Sequence, residues 1–192
     1  RAGTAVLAKE IVERAVRLAR RIAEEKRDDL SPAEKAAIAE AVGIGALKYN
    51  TLHEHHHTDI VFDWDRMLDF SGESGPYLQY THARLLSIRR RAEGIGTPDF
   101  SLLVKQEELA LIRKIANFPD EVERSGTHCL TNNLALYLYD LANAANRFYE
   151  TTPVLKEGNA PLRNARLELI RVAAEVLKSG LGLLGIQAPE QI

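Results

Sequence analysis

Gly75-Pro76-Tyr77-Leu78-Gln79-Tyr80-Thr81-His82-Ala83-Arg84 decides how this chain folds. Proline suits a helix start, because its fixed φ is already helical and its missing N–H would be unpaired there anyway. From Tyr77 the chain meets no further glycine or proline until Gly94, and Arg89-Arg90-Arg91 closes the helix so begun. On a 3.6-residue period Tyr77, Tyr80, Arg84 and Arg91 fall on one side. Tyrosine rings stack on bases and arginines pair with phosphates, so this side suits a single-stranded nucleic acid. The same residues also read as semi-buried packing tyrosines beside a solvated basic face, and composition alone favours that reading.

Upstream, Arg1-Ala2-Gly3-Thr4 has no helical period and reads as a loop. Val6, Ile11, Val12, Ala15, Leu18, Ala19 and Ile22 then recur at helical spacing, which predicts an amphipathic helix over 5–27 with a charged outer face. Ser31-Pro32-Ala33-Glu34 is a helix start with cap, first-turn proline and capping-box glutamate, and the helix runs to about Tyr49. Gly43 and Gly45 inside it cost about 1 kcal/mol each relative to alanine, which close packing against a neighbouring helix would offset. His53-Glu54-His55-His56-His57 has ligand-type residues, but its flanks suggest an exposed loop rather than the stable helix a zinc site needs. Ile60-Val61-Phe62 is the one extended-looking piece, with Asp63 as cap of a short helix over 64–68.

Downstream, Gly94-Ile95-Gly96-Thr97-Pro98 is the clearest break, and it is no phosphate loop because no strand precedes it. Helical patterns resume from Leu102 to Ala116 and over 120–124, with Ser125-Gly126-Thr127 breaking the latter. A long helix over 128–151 carries Leu130, Leu134, Leu138, Leu141, Ala145 and Phe148 as a core stripe. Tyr139, Asn143, Asn146 and Glu150 form another face, flanked by Arg147. The last helix starts at Asn159 or Pro161 and ends at Gly180 as its C-terminal glycine, leaving 181–186 to fold back on the bundle. The sum is an all-α helical bundle with one short extended segment near 60–62.

The totals narrow the function. The net charge of −2 argues against broad nucleic-acid binding and confines any such site to a local basic patch. No apolar run approaches the roughly 20 residues of a membrane helix, and no signal peptide opens the chain. One cysteine, Cys129, leaves no internal disulfide and fits a reducing compartment. The first residue is not Met, so the chain reads as a piece of a longer protein.

Several ordered stretches resemble one family. Val61-Phe62-Asp63-Trp64-Asp65-Arg66 with 75–84, Leu136-Tyr137-Leu138-Tyr139-Asp140-Leu141-Ala142 with Asn146-Arg147-Phe148-Tyr149, and 176–186 with Ala188-Pro189-Glu190 are similar to the C-terminal region of arginyl-tRNA synthetases. So is Ala41-Val42-Gly43-Ile44-Gly45-Ala46-Leu47-Lys48-Tyr49. The resemblance implies a helical anticodon-binding domain over 59–192, of the class I synthetase type. Residues 1–58 would be the last helices of an absent catalytic domain. Arg1-Ala2-Gly3 looks like the end of that domain's ATP-side signature loop, so no catalytic residue is expected in this piece.

The resemblance further implies that the intact enzyme attaches arginine to its tRNA in the cytoplasm, as a monomer, using ATP and Mg. This part would bring no cofactor, no metal and no membrane contact. Its partners would be the tRNA and the upstream catalytic domain. Tyr77 and Tyr80 would stack anticodon bases, Arg84 and Arg91 would meet phosphates, and Asn146 and Arg147 would flank them on the neighbouring helix. Ile192 would stand where the family commonly carries methionine. A helical interaction module derived from a truncated paralogue is the rival from another class, and a metal-binding protein through 53–57 is a third.

Overall fold

The structure, a computed structural model, describes residues 7–192. Arg1 and the loop expected around it lie outside the described residues. The helices run in the order α1 Ala8–Lys26, α2 Pro32–Leu52, α3 Trp64–Met67, α4 Gly75–Arg90, α5 Gln106–Ala116, α6 Phe118–His128, α7 Thr131–Thr151 and α8 Ala160–Leu183. A 3-10 turn, Phe100–Leu102, precedes α5. Among the described residues no strand forms, and Ile60-Val61-Phe62 is an exposed irregular connection. It touches α2 through the Asn50 side chain, which donates to the Val61 carbonyl at 3.4 Å.

The caps explain where most helices begin. Ser31 accepts from the Glu34 N–H while Glu34 accepts from the Ser31 N–H, a complete capping box for α2. Asp63 accepts from the N–H groups of Asp65 and Arg66, Ser74 from that of Tyr77, and Asn159 from that of Leu162.

Two helix ends differ from the sequence reading. Gly126 does not break α6, which continues to His128 because its face carrying Phe118, Val122 and Ser125 packs against the core. The turn falls instead at Cys129, in the left-handed region at φ 53°. There the N–H groups of Cys129 and Leu130 reach back to the carbonyls of Gly126 and Ser125. Gly180 is not the end of α8; it is buried in the helix against Leu138, and a Cβ there would lie 2.3 Å from a Leu138 methyl. The terminating glycine is Gly185 at φ +67°, with Gly185 N–H on Gly182 O and Ile186 N–H on Leu181 O, the paired bonds of a Schellman motif.

Packing follows from which faces are apolar. The main core joins α4, α5, α7 and α8 around Leu78, Leu111, Leu138, Phe148, Leu167 and Ile170. Burying each of these side chains contributes about 1.5–3 kcal/mol. A smaller core of Ala19, Ala39, Val42, Ala46 and Leu68 holds α1 on α2. α2 is apolar on nearly every side because it meets α1 on one face and α4 and α7 on others. Its glycines sit at the crossings. A Cβ on Gly43 would meet α1 backbone at 2.8 Å, and one on Gly45 would meet the Gln79 amide at 2.7 Å.

One buried charge cluster fastens the far side. Arg166, 2% exposed, donates through Nε to Glu108, which is fully buried, at 2.7 Å. It also donates to Glu157 at 2.6 Å and to the Pro153 carbonyl at 3.0 Å. A bond from the Asn159 N–H, then the Arg166 charge, holds the Glu157 carboxyl below its ordinary pKa. The cluster ties α5, α8 and the loop between α7 and α8 together.

Candidate nucleic-acid interface

The start of α4 fixes everything around it. Gly75 lies so close to α2 that a Cβ would sit 2.6 Å from the Gly45 carbonyl oxygen. This approach sets the rotation of α4 and sends its successive side chains to three different neighbours.

Tyr77, Thr81 and Arg84 turn towards α7 and form a polar seam. The Tyr77 hydroxyl donates to Asn143 Oδ1 at 2.7 Å, and Asn146 Nδ2 donates to Tyr77 at 3.0 Å and to Thr81 at 3.1 Å. Arg84 donates to Asn146 Oδ1 at 3.2 Å, pairs with Glu150 at 3.6 Å and lies 5.4 Å over the Tyr149 ring. Tyr77 is only 9% exposed and its ring packs 5.6 Å from that of Tyr139. Burial, the largest influence, pushes its phenol pKa up. In this conformation its ring packs against Tyr139 within the seam, and its hydroxyl is the part that reaches a polar network.

Gln79, His82 and Arg90 turn towards the segment 184–192 and hold it as a strap along α4. Gln79 Nε2 donates to the carbonyls of Ala41 at 3.0 Å and Gln187 at 2.8 Å. His82 Nδ1 donates to the Pro189 carbonyl at 3.0 Å, and Arg90 donates to the Glu190 carbonyl at 3.1 Å. The Lys48 ammonium holds the Gly185 carbonyl from α2.

Tyr80 turns away from both. It is 41% exposed, with Phe70 edge-on at 6.3 Å between ring centroids. Together with Ile22, Ile38, Lys26 and Ile192 these rings line a cleft of about 600 Å³. Lys26 Nζ lies 5.6 Å over the Phe70 ring. The cleft therefore has a free aromatic face, apolar walls and a cation at its rim, which is what an unstacked base with its phosphate requires. It also joins Tyr80 to Ile192, two expected residues 112 positions apart in the chain.

Arg91 and Arg147 are exposed and separate. Arg91 follows α4 and hydrogen-bonds back to the carbonyl and hydroxyl of Ser87. Arg147 lines a shallow depression of about 310 Å³ with Gln106, Glu107 and Asn143. Asn143 thus borders both this depression and the Tyr77 seam. The expected residues fall into a cleft, a seam and two flanking cations, and the four expected on one side of α4 divide among them. Phe70, Lys26, Thr81 and Arg27 join them without having been singled out by sequence. Lys26 reads as part of a solvated charged face, whereas the fold sets it over Phe70 and brings Arg27 against Ile192.

The histidine run forms no such site. His55 stacks on His56 with centroids 4.2 Å apart, and His57 lies tilted to His56 at 4.1 Å. Loss of hydration, with His57 and His55 adding repulsion, lowers the His56 pKa. Among the described residues, no group of three His, Cys, Asp or Glu side chains converges as a metal would require. No described helix is long and apolar enough to cross a membrane.

A helical bundle with a polar seam and an aromatic, cation-rimmed cleft is a fold and surface suited to holding unpaired bases. The chain belongs to the DALR anticodon binding domain family, whose model matches residues 78–192. Residues 1–64 match the model described as tRNA synthetases class I (R), catalytic domain. Similar proteins carry one name. An arginine–tRNA ligase of Chloroflexus aggregans is 43% identical over 194 residues, covering 99% of this chain and 34% of its own length. One from Thermococcus kodakarensis is 42% identical, covering 95% of this chain and 30% of its own. The solved arginyl-tRNA synthetase of Thermus thermophilus superposes with a TM-score of 0.91 at 37% identity, over 98% of this chain and 32% of that one. The chain spans about a third of the length of the curated relatives it matches.

Proposed function

We propose that this chain is the tRNA-binding C-terminal part of an arginine–tRNA ligase and that it reads the anticodon of the tRNA for arginine. The observation that carries the reading is serial order. A synthetase catalytic-domain match over 1–64 passes into an anticodon-binding match over 78–192, and arginine–tRNA ligases align across 99% of the chain. Residues 1–58 belong to the catalytic part and 59–192 to the anticodon-binding part. The whole enzyme joins arginine to tRNA with ATP and Mg in the cytoplasm, acting as a monomer, and its catalytic domain lies upstream.

Within this reading Tyr80 stacks an anticodon base in the cleft and Ile192 supplies an apolar wall. Arg84, Asn146 and Arg147 form the adjoining surface on α4 and α7, and Arg91 meets phosphate beyond it. Tyr77 serves the fold instead, its hydroxyl fastening the seam on Asn143 and Asn146 without touching RNA. The test is the affinity of the full-length polypeptide for its tRNA and for the same tRNA with an altered anticodon. Tyr80→Ala should cost about 1–3 kcal/mol against the first, and Tyr80→Phe should retain most of the affinity because stacking needs only the ring. Equal affinity for both tRNAs, unmoved by Tyr80→Ala, would falsify anticodon reading.

A further inference from the structure

One arm of the cleft is held by a residue the reading above does not use. Arg27 follows α1 directly, and its Nε and one terminal nitrogen donate to the two carboxylate oxygens of Asp29 at 2.8 and 2.9 Å. This two-pronged grip consumes one edge of the guanidinium and fixes its plane. The other terminal nitrogen donates to the main-chain oxygen of Ile192. The Ile192 side chain joins the small core between α1 and α2 and lines the same cleft as Tyr80 and Phe70. α4 holds the strap only as far as Glu190. The last hold on Ile192 therefore comes from the α1–α2 hairpin, in the region that matches the catalytic-domain model. The Arg27 hydrogen bond keeps the Asp29 carboxyl at a pKa of about 2, so the clamp stays charged at any ordinary pH.

We infer that Arg27 is a positioning residue for base recognition: clamped by Asp29, it holds Ile192 by the main chain so that the isoleucine side chain stands as a fixed wall of the Tyr80 cleft. The inference rests on the cleft being the anticodon-reading site. It assigns to α1 a part in specificity, because a fixed wall rejects a wrong base by shape whereas a loose one adapts to it. Arginine is required rather than a positive charge alone. Lysine has no fork with which to grip Asp29 and Ile192 at once.

The experiment uses the full-length polypeptide and three RNAs: the tRNA with its arginine anticodon, the same tRNA with one anticodon base changed, and an acceptor-stem minihelix without an anticodon. Arg27→Ala and Arg27→Lys should each reduce the affinity ratio between the first two by about tenfold, the effect of loosening one base contact. Asp29→Asn, which keeps the arginine but weakens its clamp, should give a smaller loss in the same direction. Minihelix affinity should be unchanged in all three variants, as expected of a folded protein with an intact remainder. Full rescue by Arg27→Lys would show that the charge alone matters and would overturn the inference. An unchanged ratio in Arg27→Ala, or an equal fall in minihelix affinity, would overturn it as well. A wild-type protein with no preference between the two tRNAs would instead defeat the underlying anticodon reading.

Discussion

Tyr77 and Tyr80 are three residues apart, about 60° around a helix, and that angle separates their roles. At Tyr77 the ring is enclosed and the hydroxyl bridges Asn143 and Asn146. At Tyr80 the ring is open to solvent beside Phe70. Tyr77→Phe removes only the bridge, leaving two amides short of a partner, so it should cost about 1 kcal/mol of stability. The expected result is a lowered urea midpoint with tRNA affinity little changed. A large affinity loss at unchanged stability would instead give the Tyr77 hydroxyl a direct contact with RNA. Residue types and spacing identified both tyrosines as candidates. They did not separate them, because the separation comes from where α7 lies, and α7 begins more than 50 residues further along.

At the scale of elements, local signals were legible where they act locally. Ser31-Pro32-x-Glu34 declares the start of α2, and Asp63 and Asn159 cap as their residue types suggest. Glycines were harder to read, because a glycine's meaning depends on what stands opposite it. Gly126 and Gly180 both resembled helix ends, yet both lie inside helices. Gly43 and Gly126 make opposite predictions. Alanine at Gly43 must push into α1 backbone and should destabilise by about 1–3 kcal/mol. Alanine at Gly126 meets nothing within 4 Å and should stabilise by roughly 0.5–1 kcal/mol through the unfolded chain and helix propensity. Denaturant midpoints of the two variants check both signs; a neutral Gly43→Ala would mean that α1 and α2 separate at little cost.

For the molecule as a whole, the 184–192 strap joins parts distant in sequence, which is why the cleft could not be read from sequence alone. Ile192 joins Tyr80, Phe70 and Lys26 only once the strap lies along α4. Its hold is sensitive to pH through His82. Burial is the main cause that lowers the His82 pKa, and Lys178 adds to it against the opposing Pro189 bond, Glu190 and Glu175. A histidine depressed on folding binds its proton more readily when unfolded. Its stabilising contribution is therefore complete above the unfolded value of about 6.5 and is lost as pH falls towards the folded one. Lowering the pH from 7.5 to 5.5 should lower the urea midpoint and the hydrogen-exchange protection factors of the strap, taken against the intrinsic rate at each pH. His82→Gln should flatten that part of the dependence, and an equally steep fall in the variant would assign it to other groups. On the opposite side of the bundle, the Arg166 cluster constrains how the sequence can drift. Losing the arginine alone strands the Glu108 charge in a dry interior, at about 3–5 kcal/mol, whereas exchanging Arg166 and Glu108 together for apolar side chains of similar bulk is tolerated. Arg166 and Glu108, 58 positions apart in the chain, thus change together at less cost than singly, and a substitution scan made one residue at a time meets a barrier there that a joint replacement does not.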